Sequence, residues 1–304
     1  MSLTILACIT SAVDTQESLE VERGALKADE ASLPRVLNPA DANAIEAALA
    51  LRDQLADARV VAISVGPPYQ EVALREAIAQ GVDEAVRLWD EAFAGSDCLG
   101  TARVLAATAS RVSADIVVCG EMSLDGASGS LGGHLAELLG LPLVDGVATA
   151  EFAAGAEALL TERRTNGGLR TTERTPLPAV ITVPAGANVP RYPTVRARLK
   201  ARSSPIPCWG MTELGLQPDT VGEAASSLRV VALRRPPPDP RGLVDPGSDL
   251  PPEERWMMAI SGGVRERESA LIEGEPDRLA ERLLRYLEQG GYVRRTSSEG
   301  ENGR

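Results

Sequence analysis

Two apolar rhythms alternate along the chain. Unbroken apolar runs, rich in β-branched residues, occupy 3–9, 60–65, 85–88, 115–119 and 180–183, and stops such as Gly66-Pro67-Pro68 and Gly120 follow them. Runs of this kind suit strands buried on both faces. Between them, apolar positions recur at helical spacing. Ala44, Ile45, Ala48, Leu49, Leu51 and Leu55 form one stripe, and 72–79, 101–112 and 131–139 form three more. Asn38 suits the cap of the first helix, Pro39 its first position and Asp41 its first turn. Gly81 ends the second, and Gly140 with Pro142 beyond ends the fourth. Strand and helix in alternation predict right-handed crossovers and a doubly wound, mostly parallel α/β sheet. Ligands on such sheets bind beyond the carboxyl ends of the strands. The turns after Ile9, Val65 and Cys119 are therefore the places to look.

The pattern changes near Ser203. Pro205, Pro207, Pro236-Pro237-Pro238, Pro240, Pro246 and Pro251-Pro252 break long regular elements. We read 1–202 as one α/β domain and 203–304 as a proline-rich, extended C-terminal arm. Within the arm a helix is expected over Pro276–Gln289, with Leu279, Leu283, Leu284 and Leu287 on one face. The tail from Thr296 to Arg304 reads as disordered.

Composition narrows the function. Aromatic residues are 3% of the chain, so the core is aliphatic and stacking surfaces for single-stranded nucleic acid are scarce. The net charge of -12 opposes nucleic acid and anionic membranes. No apolar run reaches the length of a membrane span, and the start has no basic flank or cleavage site, so a cytoplasmic location is expected. Cys8, Cys98, Cys119 and Cys208 lack metal spacing, and His134 is the sole histidine. Reduced, buried thiols, no metal, and no catalytic triad or carboxylate pair are expected.

The strongest local chemistry is the segment from Gly120 to Gly133, which follows a buried strand and opens a helix. Its glycines allow close backbone approach, the helix start offers N–H groups to an anion, and Ser128 and Ser130 add hydroxyls. It suits a phosphate, or it is a flexible strand-to-helix loop. It is neither a Walker loop nor GxGxxG. Asn38-Pro39-Ala40-Asp41 suffices as a helix start, and Asn38 could also reach a ribose or base. Asn188 to Val195 stiffens Arg191 and Tyr192 between two prolines, ahead of Arg196, Arg198, Lys200 and Arg202. That reads as a solvated linker or as a partner-docking loop with Val195 at its apolar tip. Ser261-Gly262-Gly263 lacks the residues of a pyrophosphatase loop.

Several segments, taken in order, resemble the β subunit of electron transfer flavoprotein over residues 3–205. They are Val13-Asp14-Thr15, Asn38-Pro39-Ala40-Asp41, Val65-Gly66-Pro67-Pro68, Asp115 to Gly120, Asp125-Gly126, Gly140-Leu141-Pro142, Pro178 to Thr182 and Pro190-Arg191-Tyr192. The resemblance implies an adenine nucleotide alpha-hydrolase-like fold and an electron carrier subunit, not an enzyme. It implies a heterodimer with an α subunit that holds most of a shared FAD, with AMP bound structurally in the β chain. Flavin-dependent dehydrogenases and an electron transfer flavoprotein–quinone oxidoreductase are the implied electron partners. By position, the nucleotide contacts fall at Cys8, Asn38, Pro39, Ala40, Asp41, Val65, Gly120, Met122, Asp125, Gly126, Ser128, Gly129, Ser130 and Leu131. A recognition loop falls at 184–205, with Arg191, Tyr192 and Val195 docking the partner. The alternative is an electron-bifurcating homologue that holds a second FAD and uses NADH. The chain departs from the family in Ile9-Thr10-Ser11-Ala12, where a Lys is usual, in Gly129-Ser130-Leu131, and in Arg170, where an acid or Gln is usual.

Overall fold

A computed structural model describes residues 3–14, 16, 33–232, 251–253, 256, 274–289 and 292. The proline run 236–246, Ser261-Gly262-Gly263, Thr15 and the tail from Thr296 lie outside the described residues. The chain forms two compact units, Met1–Arg234 and Arg235–Arg304.

In the first unit β1 (Leu3–Cys8) leads to the short pair β2 (Ser11–Val13) and β3 (Arg35–Leu37), then to α1 (Pro39–Arg52). β4 (Ala58–Val65), α2 (Glu71–Gln80), β5 (Glu84–Leu88), α3 (Cys98–Arg111), β6 (Ile116–Gly120) and α4 (Leu131–Leu139) follow. After β7 (Leu143–Val144) comes an antiparallel meander of β8 (Val147–Phe152), β9 (Ala158–Arg164) and β10 (Arg170–Pro176). β11 (Ala179–Val183), α5 (Val195–Ser203), β12 (Cys208–Trp209), α6 (Met211–Leu214) and α7 (Gly222–Ala225) complete the unit. In the second unit α8 (Pro276–Gln289) has the expected bounds.

The main sheet has seven strands in the order β12-β5-β4-β1-β6-β11-β7. Every pairing in it is parallel. The two-residue period of a strand divides the core between the faces. Ile5, Ala7, Val60, Ala62, Ile116 and Val118 meet Ile45 and Leu49 of α1 and Leu74 of α2. Leu6, Val61, Ile63, Val117 and Cys119 meet Val104 and Leu105 of α3 and Leu135 of α4. The expected doubly wound sheet is thus present, buried between helices on both sides. From β5 the crossover through α3 carries the chain past β1 to β6. The connections leaving β1 and β6 therefore diverge, and a crevice opens between the ends of these neighbours.

Residues 203–232 differ from an extended arm. β12 pairs with β5, and the Arg87 and Trp89 N–H groups donate to the carbonyls of Pro207 and Trp209 at 2.9 and 3.0 Å. The Arg111 guanidinium lies 5.1 Å over the Trp209 ring and donates to the Glu213 carbonyl at 2.8 Å. Pro205 and Pro207 prevent a long element, but a parallel edge strand needs only two residues between them and the next turn.

Candidate functional site

The crevice between β1 and β6 is a cavity of about 240 Å³. Its floor is the carboxyl ends of the strands: Cys8, Val65 and Gly120 line it, with Asn38 and Asp41 from the start of α1. Met122, Asp125, Ser128, Gly129 and Leu131 supply the Gly-rich wall. Four candidate residues do not line it. Pro39 is exposed at the first position of α1, Gly126 is exposed in the loop, Ala40 packs beneath Gly120, and Ser130 turns toward Cys98.

Asp41 ties the floor together. Its carboxylate accepts the Thr10 N–H at 2.8 Å and the Gly120 N–H at 3.0 Å, joining the ends of β1 and β6 to α1. Among the described residues no cation lies beside it, and burial pushes the carboxyl up from 3.8 to about 7 against those N–H bonds and the Asn38 side chain. The helix fits this closely because residue 120 is glycine. A Cβ there would overlap the Asp41 carboxylate and sit 2.9 Å from Ala40. Asn38 does not cap α1 through its side chain. It reaches across to the Gly-rich loop instead, donating to the Met122 carbonyl and accepting the Leu124 N–H, each at 3.1 Å. The loop offers this exposed backbone two bonds, while a cap would supply one.

Three contributors were not marked by the sequence. Gln70, buried in the turn after β4, accepts the Ser11 N–H at 2.7 Å and the Ser64 hydroxyl at 3.2 Å, which braces the chain leaving β1. Cys98 and Thr101 bring the start of α3 to the cavity wall. Asp97 could have signalled that start, since it caps the helix by accepting the Gly100 N–H at 2.8 Å. The Ser130 hydroxyl lies 3.2 Å from the Cys98 sulfur. The thiols are not uniformly buried: Cys8 and Cys119 are, Cys98 is half-buried and Cys208 is exposed. Burial pushes the Cys8 and Cys119 thiols up, so they stay protonated and unreactive.

The cavity carries Asp41, Glu121 and Asp125 and no Lys, Arg or His. A phosphate there would be met by N–H groups at the start of α4, by hydroxyls and by the helix dipole. Gly129 at φ +59° shapes that approach, and Gly132 lets α4 press onto β11, where a Cβ would overlap the Thr182 methyl. His134 sits half-buried on α4.

The docking candidates lie elsewhere. Arg191 is held within the chain: its guanidinium pairs with Glu46 at 2.9 Å and Asp53 at 3.1 Å. That clamp leaves Tyr192 86% and Val195 75% exposed. Val195 opens α5, capped by the Thr194 hydroxyl accepting the Ala197 N–H at 3.2 Å. No helix among the described residues is long and apolar enough to cross a membrane.

Comparison with known proteins agrees with this architecture. A family model described as the electron transfer flavoprotein domain matches residues 25–213. The "Electron transfer flavoprotein subunit beta" of Thermoanaerobacterium thermosaccharolyticum is 32% identical over 247 residues, 81% of this chain and 93% of that protein. The protein of the same description from Megasphaera elsdenii is 30% identical over 249 residues, covering 80% and 91%. The chain belongs to the electron transfer flavoprotein β-subunit family. It is also similar to "Caffeyl-CoA reductase-Etf complex subunit CarD" of Acetobacterium woodii, 33% identical over 237 residues, 77% of this chain and 88% of that one. The family model ends just past β12. The described part of the electron transfer flavoprotein fold therefore includes the edge strand beyond Ser203.

Proposed function

We propose that this chain is the β subunit of a heterodimeric electron transfer flavoprotein. It holds AMP in the crevice between β1 and β6, and shares with an α subunit the pocket of an FAD held mainly by that subunit. In the cytoplasm the complex carries electrons from flavin-dependent dehydrogenases to a quinone oxidoreductase, and the β chain makes no bonds of its own. The carrying observation is the crevice at the switch point, walled by a Gly-rich loop that opens α4. Its size supports a mononucleotide: about 240 Å³ lies just under the ~300–1,000 Å³ of typical ligand pockets. The carboxylates of Asp41, Glu121 and Asp125, with no cation among the lining residues, favour one phosphate over a longer polyphosphate. Exposed Tyr192 and Val195, held out by the Arg191 clamp, suit the apolar tip of a partner-docking surface.

The second reading is an electron-bifurcating homologue with a second FAD in the crevice and NADH as donor. The similarity to a subunit of a caffeyl-CoA reductase-Etf complex favours it, and the size of the crevice weighs against it. Co-expression with the α subunit, followed by release and quantification of nucleotides, separates the two. The expected product is a yellow heterodimer with one FAD and one AMP per pair. Two FAD per pair, reduced by NADH, would select the second reading. A colourless monomer loaded with ATP would overturn both.

A further inference from the structure

The segment from Pro184 to Pro205 joins β11 to β12 and lies outside the sheet. Its polar backbone groups need partners from elsewhere. At its front, α1 supplies them. Asn43 is buried with its amide engaged on both sides. Its Nδ2 donates to the Asn188 carbonyl at 2.7 Å and to the Asn188 Oδ1 at 2.8 Å, and its Oδ1 accepts the Gly186 N–H at 2.9 Å. The Asn188 side chain donates back to the Asn43 carbonyl at 2.9 Å. Three positions on, along the same side of the helix, Glu46 accepts three bonds from Arg191. Its Oε2 takes the backbone N–H and Nε, each at 2.9 Å, and its Oε1 takes Nη2 at 3.0 Å. Paired, charge-assisted bonds of this kind fix direction as well as distance.

At its far end, α2 takes over. Arg75, paired with Glu71 at 2.8 Å, donates to the carbonyls of Ala201, Arg202 and Ser204 at 2.9, 3.1 and 3.3 Å, closing the C-terminus of α5. Glu76 reaches Arg198 at 3.4 Å, and the Arg198 guanidinium lies 5.3 Å over the Tyr192 ring. Between these anchors Val189, Tyr192, Val195 and Leu199 are all exposed. Val195 and Leu199, four positions apart on α5, share a face. An exposed apolar surface on a backbone held at both ends is unlike a solvated linker. A loop ordered only on binding costs affinity, and bonds made beforehand within the free chain remove that cost.

We propose that Glu46 is a positioning residue for docking: by gripping Arg191 it presets Tyr192 and Val195, so that the electron-donating dehydrogenase meets an apolar surface already in place. This rests on the β-subunit reading above. Glu46 acts through Arg191 and not on the partner, because its side chain is 15% exposed and both its oxygens are taken by Arg191. Asp53 does not replace it. Asp53 meets only the guanidinium, at 3.1 Å, and is exposed, so water screens the pair. Glu46 holds the guanidinium and also the backbone of residue 191, immediately before Tyr192. The same helix carries Asn38 and Asp41 to the crevice, so α1 sets both the crevice and the front of the docking segment.

The test uses the full chain co-purified with its α subunit and a panel of flavin-dependent dehydrogenases, of which the one that reduces the wild type fastest serves as donor. In Glu46→Ala the KM for the heterodimer should rise at least about fivefold while kcat stays within about twofold. FAD content and the rate of reduction by dithionite, which needs no docking, should match the wild type. Glu46→Gln keeps a carbonyl for the Arg191 N–H and should fall between the two. In an Arg191→Ala background, Glu46→Ala should add little. Hydrogen exchange at the Arg191 N–H should quicken in Glu46→Ala, with the Gly120 N–H unchanged. A wild-type KM in Glu46→Ala would overturn the proposal, as would unchanged exchange at Arg191. So would an equal loss of kcat or FAD, which would make Glu46 a support of the fold, or a rise in KM undiminished in the Arg191→Ala background. If dithionite reduces the wild type but no dehydrogenase does, the electron-carrier reading fails first and the role of Glu46 falls with it.

Discussion

Of the helices whose N-termini face the crevice, α1 and α3 each bring an aspartate, and the two have opposite fates. At α3, Asp97 sits near the surface, accepting the Gly100 N–H at 2.8 Å and both the N–H and hydroxyl of Ser227 at 2.7 Å. Those donors hold its carboxyl well below the usual range. At α1, Asp41 also accepts two N–H groups, yet its pKa rises to about 7. The difference is solvent. Asp97 keeps water on one side, so each donor adds to the stability of the anion. Asp41 is 5% exposed and has no cation beside it among the described residues, so desolvation outweighs its donors. A helix N-terminus is therefore not by itself a strong anion site; access to water decides what it is worth.

The sharpest way to break this comparison is at the closest contact in the buried corner. Gly120→Ala places a methyl into the Asp41 carboxylate and Ala40. We expect a loss of about 3 kcal/mol or more, as overpacking of a rigid site produces, read as a lower midpoint in urea, together with loss of the nucleotide proposed for the crevice. An unchanged midpoint would mean that α1 can move away from β6, and that the corner is not the clamp described.

A smaller effect is expected from Asp41→Asn. The amide offers one acceptor where two N–H groups need partners, so its own N–H faces another donor. The cost is about 2 kcal/mol. The pH dependence has a definite sign. Because the folded pKa lies above the ordinary 3.8, the wild type loses stability as the pH rises from about 4 to about 7, and the loss levels off beyond that. The Asn variant should lack that slope, so its deficit in urea titrations is larger at pH 5 than at pH 8. Parallel curves for the two proteins would show that Asp41 is ionised across the whole range.

The mildest change is Asp97→Ala. Loss of a helix cap costs about 1 kcal/mol at neutral pH. Here the sign is reversed: with its pKa lowered by folding, Asp97 contributes above about 4, and that contribution is lost as the pH falls. The deficit of the Ala variant should therefore shrink in acid. A deficit that grows in acid would contradict the contrast with Asp41.

The local signals were read well where the structure is regular. The four helical stripes and the five apolar runs became α1 to α4 and β1, β4, β5, β6 and β11, with ends shifted by up to three residues. Burial on both faces makes those strands uniformly apolar, and that is visible without a fold. The meander from β8 to β10 carried no such mark, because Thr172, Arg174 and Glu151 face water while the inward positions Val147, Ala158, Leu159, Thr161 and Thr175 are scattered and partly polar. The site was legible in the same measure. Cys8, Asp41, Gly120 and the Gly-rich turn lie at strand ends that any parallel α/β reading would inspect. Gln70, Cys98 and Thr101 reach the crevice from turns whose local residues look ordinary.

What the sequence determined alone is the set of short-range choices: alternating strands and helices, the Gly-rich turn after β6, the glycine stops, and the ordered family segments. Each depends on neighbours within a few positions. Only the tertiary structure decided the roles of the polar groups. Asn38 could have capped its own helix, but it bonds a loop more than eighty positions away. Arg191 could have been a free docking charge, but Glu46 and Asp53 hold it. Asp41 would be an ordinary ionised residue in a first turn, but closure of the sheet around it removes its water. Hydrogen bonding and charge are set by what folding brings near and what it dries, and neither is written in the local pattern.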